Sequence, residues 1–479
     1  MMTVLMFAPL AVPLLGAIAY AALGWRASTA WAGAVSAGLL LAAAVGLAIE
    51  VAGAETVYTA GEGVLHADAP AAFLLLVVGA VAVLATVATP AYLAAEIDAG
   101  RATARTARWH GTAVQLFLAA MALAVLAADL GLLWAAIEAA VLATAFLVGQ
   151  GGSRAAAEAA WKLVVICSAG LALALLGIVL AGYVGSDVDG MRIAVVLLVV
   201  GFGAMAGLAP LHAWLPDAHG QAPAPVAALL SGALLSVAAY AILRVRVVAD
   251  AVLGPTFGRV LLAVLAVVSL LVAASLLLAQ RDYQRMLAYS STGQLGLVAL
   301  GIAIGGPLAT AAVLLHLLGH GLTKAVLFLG AGRIRQVTGT SRTDGVVGLA
   351  AHHPMLAGAV GAGLLALLGL PPFSLFASGL GIARAGFAAG LGWLVAIALV
   401  LVLAIAVALI AHTSRMLLGE PPDSPGAAAG TVRLPGSTTA ALLGGLVVCA
   451  AAGIAAEPLA TLLRLAAETL TAGTLVGTP

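Results

Sequence analysis

Apolar residues occur in long runs along almost the whole chain, and short stretches rich in glycine, proline and charged residues separate these runs. A helix that crosses the hydrocarbon core of a bilayer needs about 20 predominantly apolar residues. Runs of this length predict about fourteen spanning helices. The fourth and fifth are separated only by a turn at Asp129. The predicted spans are 3–24, 31–51, 69–93, 112–128, 130–149, 160–183, 192–214, 223–246, 258–279, 287–305, 308–332, 354–378, 387–411 and 438–458.

The composition agrees with an all-α integral membrane protein surrounded by the lipid bilayer. Apolar residues make up 64% of the 479 residues and charged residues 8%, whereas soluble domains contain about 25% charged residues. A soluble fold could not cover that much apolar surface with polar side chains. The net charge of +1 gives no indication of a nucleic-acid partner. Cys167 and Cys449 lie in apolar runs, which predicts core residues and no disulfide or metal site.

The basic residues predict the orientation in the membrane. If the amino terminus lies outside, thirteen basic residues flank inner loops and six flank outer loops, as the positive-inside rule requires. We therefore expect an inner-membrane, multi-pass protein with both termini outside. The inner set is Arg26, Arg101, Arg105, Arg108, Arg154, Lys162, Arg281, Arg285, Arg333, Arg335, Arg342, Arg415 and Arg433, and the outer set is Arg192, Arg244, Arg246, Arg259, Arg384 and Arg464.

Prolines interrupt the seventh and twelfth spans. Pro210 follows a glycine-containing segment in the seventh, and Pro371 and Pro372 occur in the twelfth. Proline removes a backbone donor and disrupts the preceding turn, so both spans are predicted to be broken. The breaks are five helices apart, and this odd offset is typical of an inverted repeat with functional sites at the breaks. The alternative is that these are ordinary prolines of transmembrane helices.

Ionisable residues inside spans are functional candidates, because each costs about 2.5–3.5 kcal/mol to insert. Glu138 lies in the middle of the fifth span. His316, His320 and Lys324 follow one another at steps of four in the eleventh, which places them on one stripe of a helix. Histidine and lysine are suited to carrying protons. Glu138 could instead be a protonated packing residue, and the stripe could be a polar seam between helices.

Several other polar residues allow two interpretations. Lys162, one of only two lysines in the chain, could take part in proton transfer or could anchor its helix at the inner interface. His212, Asp217 and His219 follow the first break. For Asp217 and His219, a functional role and a place in a solvated loop are both consistent with the sequence.

Four motifs resemble the proton-conducting membrane subunits that complex I shares with multi-subunit cation/proton antiporters. They are residues 211–219 (LHAWLPDAH), 285–291 (RMLAYSS), 316–324 (HLLGHGLTK) and 371–373 (PPF). Two further segments, 146–149 (FLVG) and 158–162 (EAAWK), together with Glu138 look most like the F-type membrane subunit of hydrogenase-4 and formate-hydrogenlyase complexes.

This resemblance implies one transmembrane domain over residues 1–479 that contains two inverted repeats of five helices. The first three helices would occupy 1–111, the repeats 112–246 and 258–411, and the last helix with its tail 438–479. The resemblance also implies departures from the family pattern. Met205 stands where relatives carry a lysine, Ser231 or a neighbour replaces a lysine or histidine, and Gly379 replaces a charged residue. These departures predict impaired pumping, because methionine and glycine cannot hold a proton.

Three functional hypotheses follow. In the first, the chain is a proton-handling membrane-arm subunit of a complex I-like or group 4 hydrogenase-type complex, with hydrogenase or iron–sulfur subunits among its partners. Glu138, His316, His320 and Lys324 would carry protons, and Lys162 would assist. In the second, it is a structural subunit that has lost transport. In the third, it belongs to a cation/proton antiporter or bicarbonate-uptake assembly. None of them requires a cofactor, a metal or a catalytic residue in this chain.

Overall fold

The structure, a computed structural model, describes residues 2–185, 187–420 and 434–471. Residues 421–433, which include Arg433 of the inner basic set, lie outside the described residues. Thirteen of the described helices are long and apolar enough to cross a membrane, so the chain is a multi-pass membrane protein. The long helices are α1 (Met2–Leu23), α2 (Ala32–Ala54), α3 (Ala69–Asp98), α4 (Ala104–Leu126), α5 (Leu130–Gly149), α6 (Arg154–Val184), α7 (Val188–Met205), α9 to α10 (Ala224–Leu229 and Leu235–Leu253, joined by a π-helical turn at Leu230–Leu234), α11 (Pro255–Leu278), α12 (Tyr283–Ile304), α13 (Gly306–Thr338), α17 (Gly392–Leu418) and α18 (Gly436–Ile454).

Shorter elements connect the long helices or lie beside them. A two-stranded antiparallel hairpin pairs Tyr58 with Ala67 between α2 and α3. The short elements are β1 (Tyr58–Ala60), β2 (Leu65–Ala67), α8 (Trp214–Gln221), a 3-10 turn (Thr343–Gly345), α14 (Leu349–His352), α15 (Pro354–Leu367), α16 (Ser374–Ala388) and α19 (Glu457–Thr471).

Polar caps fix the starts of several helices. Asp129 accepts a hydrogen bond of 2.9 Å from the backbone nitrogen of Leu132 and caps α5, while Ala127 at the end of α4 is extended. An aspartate at this position satisfies a helical N–H group that would otherwise lack a partner. The predicted separation of the fourth and fifth spans at Asp129 is confirmed.

The two predicted breaks are present, and the chain uses the same local structure at both. At the first, α7 ends at Met205 with Ala206 as its C-cap, Gly207 adopts φ +69°, and Leu208 donates a backbone hydrogen bond to Gly203. At the second, α15 ends at Leu367 with Leu368 as its C-cap, Gly369 adopts φ +68°, and Leu370 donates to Leu365. These are Schellman motifs, in which a left-handed glycine closes the last turn. In both segments the third residue after the glycine is a proline in a cis peptide bond, Ala209–Pro210 at the first break and Pro371–Pro372 at the second.

Some predicted boundaries are wrong. The twelfth span, predicted as 354–378, is two helices, α15 and α16, because the Schellman motif stops the first before Pro371. The seventh, predicted as 192–214, ends at Met205, and Trp214 begins the separate helix α8. The fourth begins at Ala104, eight residues earlier than predicted. Beyond the last span, residues predicted as a tail form the helix α19. With α15 and α16 counted as one interrupted crossing, the total is the predicted fourteen.

Helix α13 lies at the centre of the molecule. The most apolar stretch of α13, long enough to cross the membrane, is entirely buried inside the protein. The same is true of the helix formed by α9 and α10. Glycines allow these two helices to approach closely, since a Cβ atom placed on Gly232 would lie 3.0 Å from the carbonyl oxygen of Gly321. Helices α3, α12, α15, α16, α18 and α19 also pack against α13. The predicted stripe therefore faces protein on every side.

A buried ion pair joins the hairpin to the core at the opposite end of α3 from Arg101. Asp68 caps α3 through Ala71 and lies 2.6 Å from the guanidinium of Arg244. His66 on the hairpin lies 3.5 Å from the same carboxylate. Burial by itself would raise the pKa of Asp68, but the positive charge of Arg244 and the contact with His66 hold that pKa below its ordinary value. The ion pair keeps this end of α3 fixed against α10.

Cysteine labelling tests the proposed orientation. Ala99 and Ala389 are both exposed and lie in loops predicted to face opposite sides. We expect a membrane-impermeant maleimide added to intact cells to label Ala389→Cys and to leave Ala99→Cys unlabelled until the membrane is opened. The native Cys167 and Cys449 are buried and provide the low background. Labelling of Ala99→Cys in intact cells would reverse the orientation.

Candidate functional site

Three ionisable side chains lie on one buried stripe of α13. His316 is 1% exposed, and His320 and Lys324 are both 0% exposed. Steps of four residues rotate the side chains only slightly around a helix, so they stack along its axis. No described carboxylate forms an ion pair with any of the three. The stripe is a set of proton-binding groups without acidic partners.

Lys324 is held by α12. Its ammonium nitrogen donates to the carbonyl oxygen of Leu287 at 2.6 Å and to the hydroxyl of Ser290. The nitrogen also lies 6.0 Å from the centre of the Phe328 ring. The residues that accept from Lys324 belong to the 285–291 motif, and the lysine ends the 316–324 motif. The two motifs therefore form one site.

His316 connects the stripe to the second helix break. Gln294 donates from Nε2 to the carbonyl oxygen of Leu367, in the last turn of α15, at 2.9 Å. This bond directs Oε1 of Gln294 towards Nε2 of His316, 2.9 Å away, so Nε2 carries a proton. Nδ1 lies 3.0 Å from the hydroxyl of Ser378 on α16. One histidine thus contacts both sides of the break through two side chains.

The hydroxyl of Ser378 allows His316 two protonation states without movement of the ring. In one, the hydroxyl donates to Nδ1 and the imidazole is neutral. In the other, Nδ1 carries a second proton and donates to Ser378, whose hydroxyl then donates to the carbonyl of Leu375, 3.2 Å away. A hydroxyl can take either part because it has one donor and two lone pairs. Rotation of one hydroxyl group therefore accommodates either protonation state of His316.

His320 lies between the other two members of the stripe. Among the described residues, neither ring nitrogen makes a well-aligned hydrogen bond. The ring faces the π-helical turn near Ser231, and Ser231 shares a hydrogen bond of 2.9 Å with Ser291. Single π-helical turns inside α-helices occur frequently at functional sites. Ser231, one of the residues at which a departure from the family pattern was expected, is thus part of a hydroxyl pair beside His320.

His219 belongs to the same buried region, which sequence reasoning left open. The interpretation as a solvated loop is wrong, since residues 214–221 form α8 and His219 is 0% exposed. Nδ1 donates to the carbonyl of Leu215 at 2.8 Å, which leaves Nε2 as a buried nitrogen without a described partner. The ring lies 4.9 Å from Phe328, the aromatic residue that also faces Lys324. In the sequence, only the 211–219 motif, which ends in Asp217-Ala218-His219, indicated that His219 could belong to the site.

Asp217 is a centre of charge at the start of the site. Its carboxylate lies 2.9 Å from Lys162 on α6 and 3.1 Å from Arg285 on α12. Lys162 also pairs with Glu158 at 2.8 Å and is 43% exposed. These contacts give Lys162 an anchoring role that joins three helices. They place it apart from the buried stripe.

Glu138 lies away from the stripe. It accepts a hydrogen bond of 2.8 Å from Ser168 on α6, and its second oxygen is buried without a described partner. One turn earlier, Trp134 donates to the carbonyl of Leu171 at 2.7 Å, which fixes α5 against α6. No hydrogen bond or ion pair of the described residues connects Glu138 with Lys162 or with α13. The structure therefore brings together the stripe but not the whole predicted set.

Met205 and Gly379, the two positions expected to depart from the family pattern, lie in different environments. Met205 is 0% exposed and is the last residue of α7, immediately before the first break. Gly379 follows Ser378, and a Cβ atom there would meet no other atom within 4 Å. The first position is filled with an apolar side chain, and the second is open. Within the described residues, no group of three or more His, Cys, Asp or Glu side chains could hold a metal ion.

Comparison with known proteins agrees with these features. The sequence pattern of the NADH:quinone oxidoreductase/Mrp antiporter transmembrane family matches residues 127–404, a range that contains both breaks and the stripe. The chain belongs to this family. The expected similarity to the F-type hydrogenase-4 subunits is also confirmed. A hydrogenase-4 component F homolog from Methylacidiphilum infernorum is 36% identical over 60% of this chain.

Other members of the family show how far the likeness extends. NADH-quinone oxidoreductase subunit N from Desulforudis audaxviator is 37% identical over 56% of this chain. The chain spans 65% of the Methylacidiphilum relative and 57% of the Desulforudis relative. A subunit of the Mrp complex from Dietzia sp. DQ12-45-1b has a TM-score of 0.85 at 24% identity, covering 99% of this chain and 98% of that one. A chain of Thermus thermophilus complex I has a TM-score of 0.80 at 24% identity over the full length of both. At these identities the structures establish the shared antiporter-like fold.

Replacement of Gln294 tests the connection between stripe and break. Gln294→Leu removes the partners of His316 Nε2 and of the Leu367 carbonyl, so we expect a loss of about 1–2 kcal/mol of stability. Thermal unfolding of the purified chain in detergent measures it. Ser275→Ala is the control, because this exposed serine bonds only to its own helix at Leu271. Equal unfolding temperatures for the two variants would contradict the assignment.

Proposed function

We propose that the chain is a proton-handling membrane-arm subunit of a complex I-like or group 4 hydrogenase-type energy-converting complex. The buried stripe of α13 carries this proposal, since three groups able to bind protons occupy the centre of the protein without acidic partners. Inserting such groups into a membrane is costly, and they are retained where they act in ion or proton pathways. Membership of the family supports the same function.

The spacing of the stripe determines how a proton would travel. Four residues of α-helix rise about 6 Å, so His316, His320 and Lys324 span about 12 Å along the axis. Each step of about 6 Å between neighbouring members of the stripe is longer than a hydrogen bond, so it requires a bridging water or hydroxyl. Ser290 and Ser378 supply hydroxyls at the two ends, and the ring nitrogens of His320 supply a site in the middle. The proton would move between Lys324 and the second break.

His219 gives the stripe an extension towards the inner face. It contacts Phe328 near Lys324, and it lies two residues from Asp217, which the ion pairs with Lys162 and Arg285 hold in place. We propose that protons reach Lys324 from this side. Glu138 would then act mainly at the surface of α5 and α6, where Ser168 holds it. Met205, which cannot hold a proton, would interrupt a connection from Glu138 to the stripe.

The proposal extends to assembly and location. Other membrane subunits would cover lipid-facing helices in an inner-membrane complex, and hydrogenase or iron–sulfur subunits would supply the redox chemistry. The chain itself would contribute no cofactor and no catalytic residue. The shared fold with an Mrp complex supports an antiporter or bicarbonate-uptake assembly only at the level of architecture.

A second candidate is a structural subunit that has lost transport. The observation in its favour is Met205, which is fully buried at the end of α7 and cannot hold a proton, while no described cation forms an ion pair with Glu138. Gly379, beside Ser378, cannot hold a proton either. The two candidates differ in whether Lys324 and Glu138 exchange protons during turnover.

Substitution of Lys324 tests the first candidate. We expect Lys324→Ala to abolish proton translocation by this subunit, because the central proton-binding group is lost, and to leave assembly nearly intact. Lys324→Met retains the length of the side chain and distinguishes loss of the amine from a packing defect. The measurements are proton uptake by vesicles containing the complex and the yield of complex. Normal proton uptake with normal yield in both variants would reduce the stripe to a packing element.

Substitution of Glu138 tests whether the first repeat, which contains Glu138 and Met205, carries protons to the stripe. If Met205 disconnects Glu138 from the stripe, Glu138→Gln should change the ratio of protons moved to turnover little, since glutamine resembles a neutral carboxylic acid in shape. If protons do pass through Glu138, this ratio should fall at least several-fold, because glutamine cannot release a proton. Met205→Lys is the companion variant and should make the ratio sensitive to Glu138→Gln. A large loss in the single variant would establish a complete pathway through Glu138.

A further inference from the structure

A long apolar groove runs between α4 and α5 on the outside of the bundle. Its volume is about 1100 Å³, and small residues of α5, such as Ala139, Ala143 and Gly149, form its floor. Larger side chains, Leu116 of α4 and Leu142 and Phe146 of α5, form its walls. Phe146 is 78% exposed and Leu142 49%. The groove does not belong to the polar site, which lies in the interior.

The groove is polar at one end only. Arg105, Thr106 and Trp109 line it in the first turns of α4, and Gln150 lines it just after the end of α5. Trp109 is 55% exposed, as expected of an aromatic side chain at a membrane interface. Arg105 is exposed and forms no ion pair with a described acid. The positive charge of Arg105, which has no described acidic partner, thus lies at the polar end of the apolar groove.

The length of the groove corresponds to one leaflet. Arg105, Trp109, Thr112 and Leu116 lie on one face of α4, and the eleven steps from the first residue to the last rise about 16 Å. This is about half of the 30 Å hydrocarbon core. A neighbouring transmembrane helix would need a groove across both leaflets. Beyond Leu116, however, the remaining residues of α4 are mostly buried within the bundle.

We propose that this groove binds one anionic phospholipid. The phosphate-bearing headgroup would lie at Arg105 and Trp109, and the acyl chains would extend along Leu116, Leu142 and Phe146. Basic residues at the membrane surface attract anionic lipids with about 1 kcal/mol each. The lipid would fill the space between α4 and α5 and support the side of α5 opposite to the one that packs on α6.

Native mass spectrometry of the purified full-length chain tests the proposal with two lipids of equal chain length, phosphatidylglycerol and phosphatidylcholine. We expect phosphatidylglycerol to be retained preferentially, and Arg105→Gln to weaken its binding about fivefold while phosphatidylcholine is unaffected. Arg154→Gln is the matched control, because Arg154 is also exposed beside an inner helix end but lies outside the groove. Equal retention of both lipids by the unmodified chain, or equal effects of the two arginine variants, would overturn the proposal.

A second pair of variants tests the apolar part of the groove. Ala143→Phe places a large side chain on the floor and should reduce retention of phosphatidylglycerol, whereas Ala172→Phe at an exposed position of α6 should not. Unchanged retention in Ala143→Phe would contradict the site. A photoreactive probe on Leu142→Cys in the assembled complex should react with lipid. Crosslinking to a neighbouring polypeptide at this position would mean that a protein partner, and not a lipid, occupies the groove.

Discussion

The amine of Lys324 sets the main constraint on this structure. A lysine at the centre of a membrane protein must find hydrogen-bond acceptors inside the protein, because neither water nor lipid headgroups reach it by default. The carbonyl of Leu287 and the hydroxyl of Ser290 provide them, so α12 has to lie beside α13 with its serine turned inwards. The close approach of α13 to the π-helical turn near Gly232 then fixes a third helix. The need to accommodate one amine thus constrains how α12 and α13 pack at the centre of the protein.

The two helix breaks show how polar backbone is tolerated at depth. Each break frees carbonyl groups that would be costly in lipid. Trp214 donates to the carbonyl of Ala204 at the first break, and Gln294 donates to that of Leu367 at the second. The second arrangement has an additional effect, because Gln294 also directs the tautomer of His316. A residue that satisfies the backbone thereby becomes part of the chemical site.

The sequence predicted the class of fold, the number of crossings, both breaks and the stripe on α13. These depend on local patterns, namely apolar runs, proline positions and steps of four residues. The partners of His316 could not be predicted, since Gln294 and Ser378 are separated from it by 22 and 62 residues and their side chains carry no charge. The burial of His219 was missed for a related reason. An eight-residue polar segment resembles a loop until the helices that cover it are known.

The close packing of α13 restricts the kind of motion that a working cycle could use. Many transporters expose their site to each side in turn by rocking one bundle of helices against another. In this chain a Cβ atom on Gly332 would lie 2.1 Å from the Cβ atom of Ala224, and one on Gly319 would overlap the hydroxyl of Ser374. Sliding of α13 along its neighbours would bring its side chains into these narrow spaces. In the proposed proton pathway, we therefore expect access to the site to change through the rotation of hydroxyl groups, such as those of Ser290 and Ser378, and not through sliding of α13.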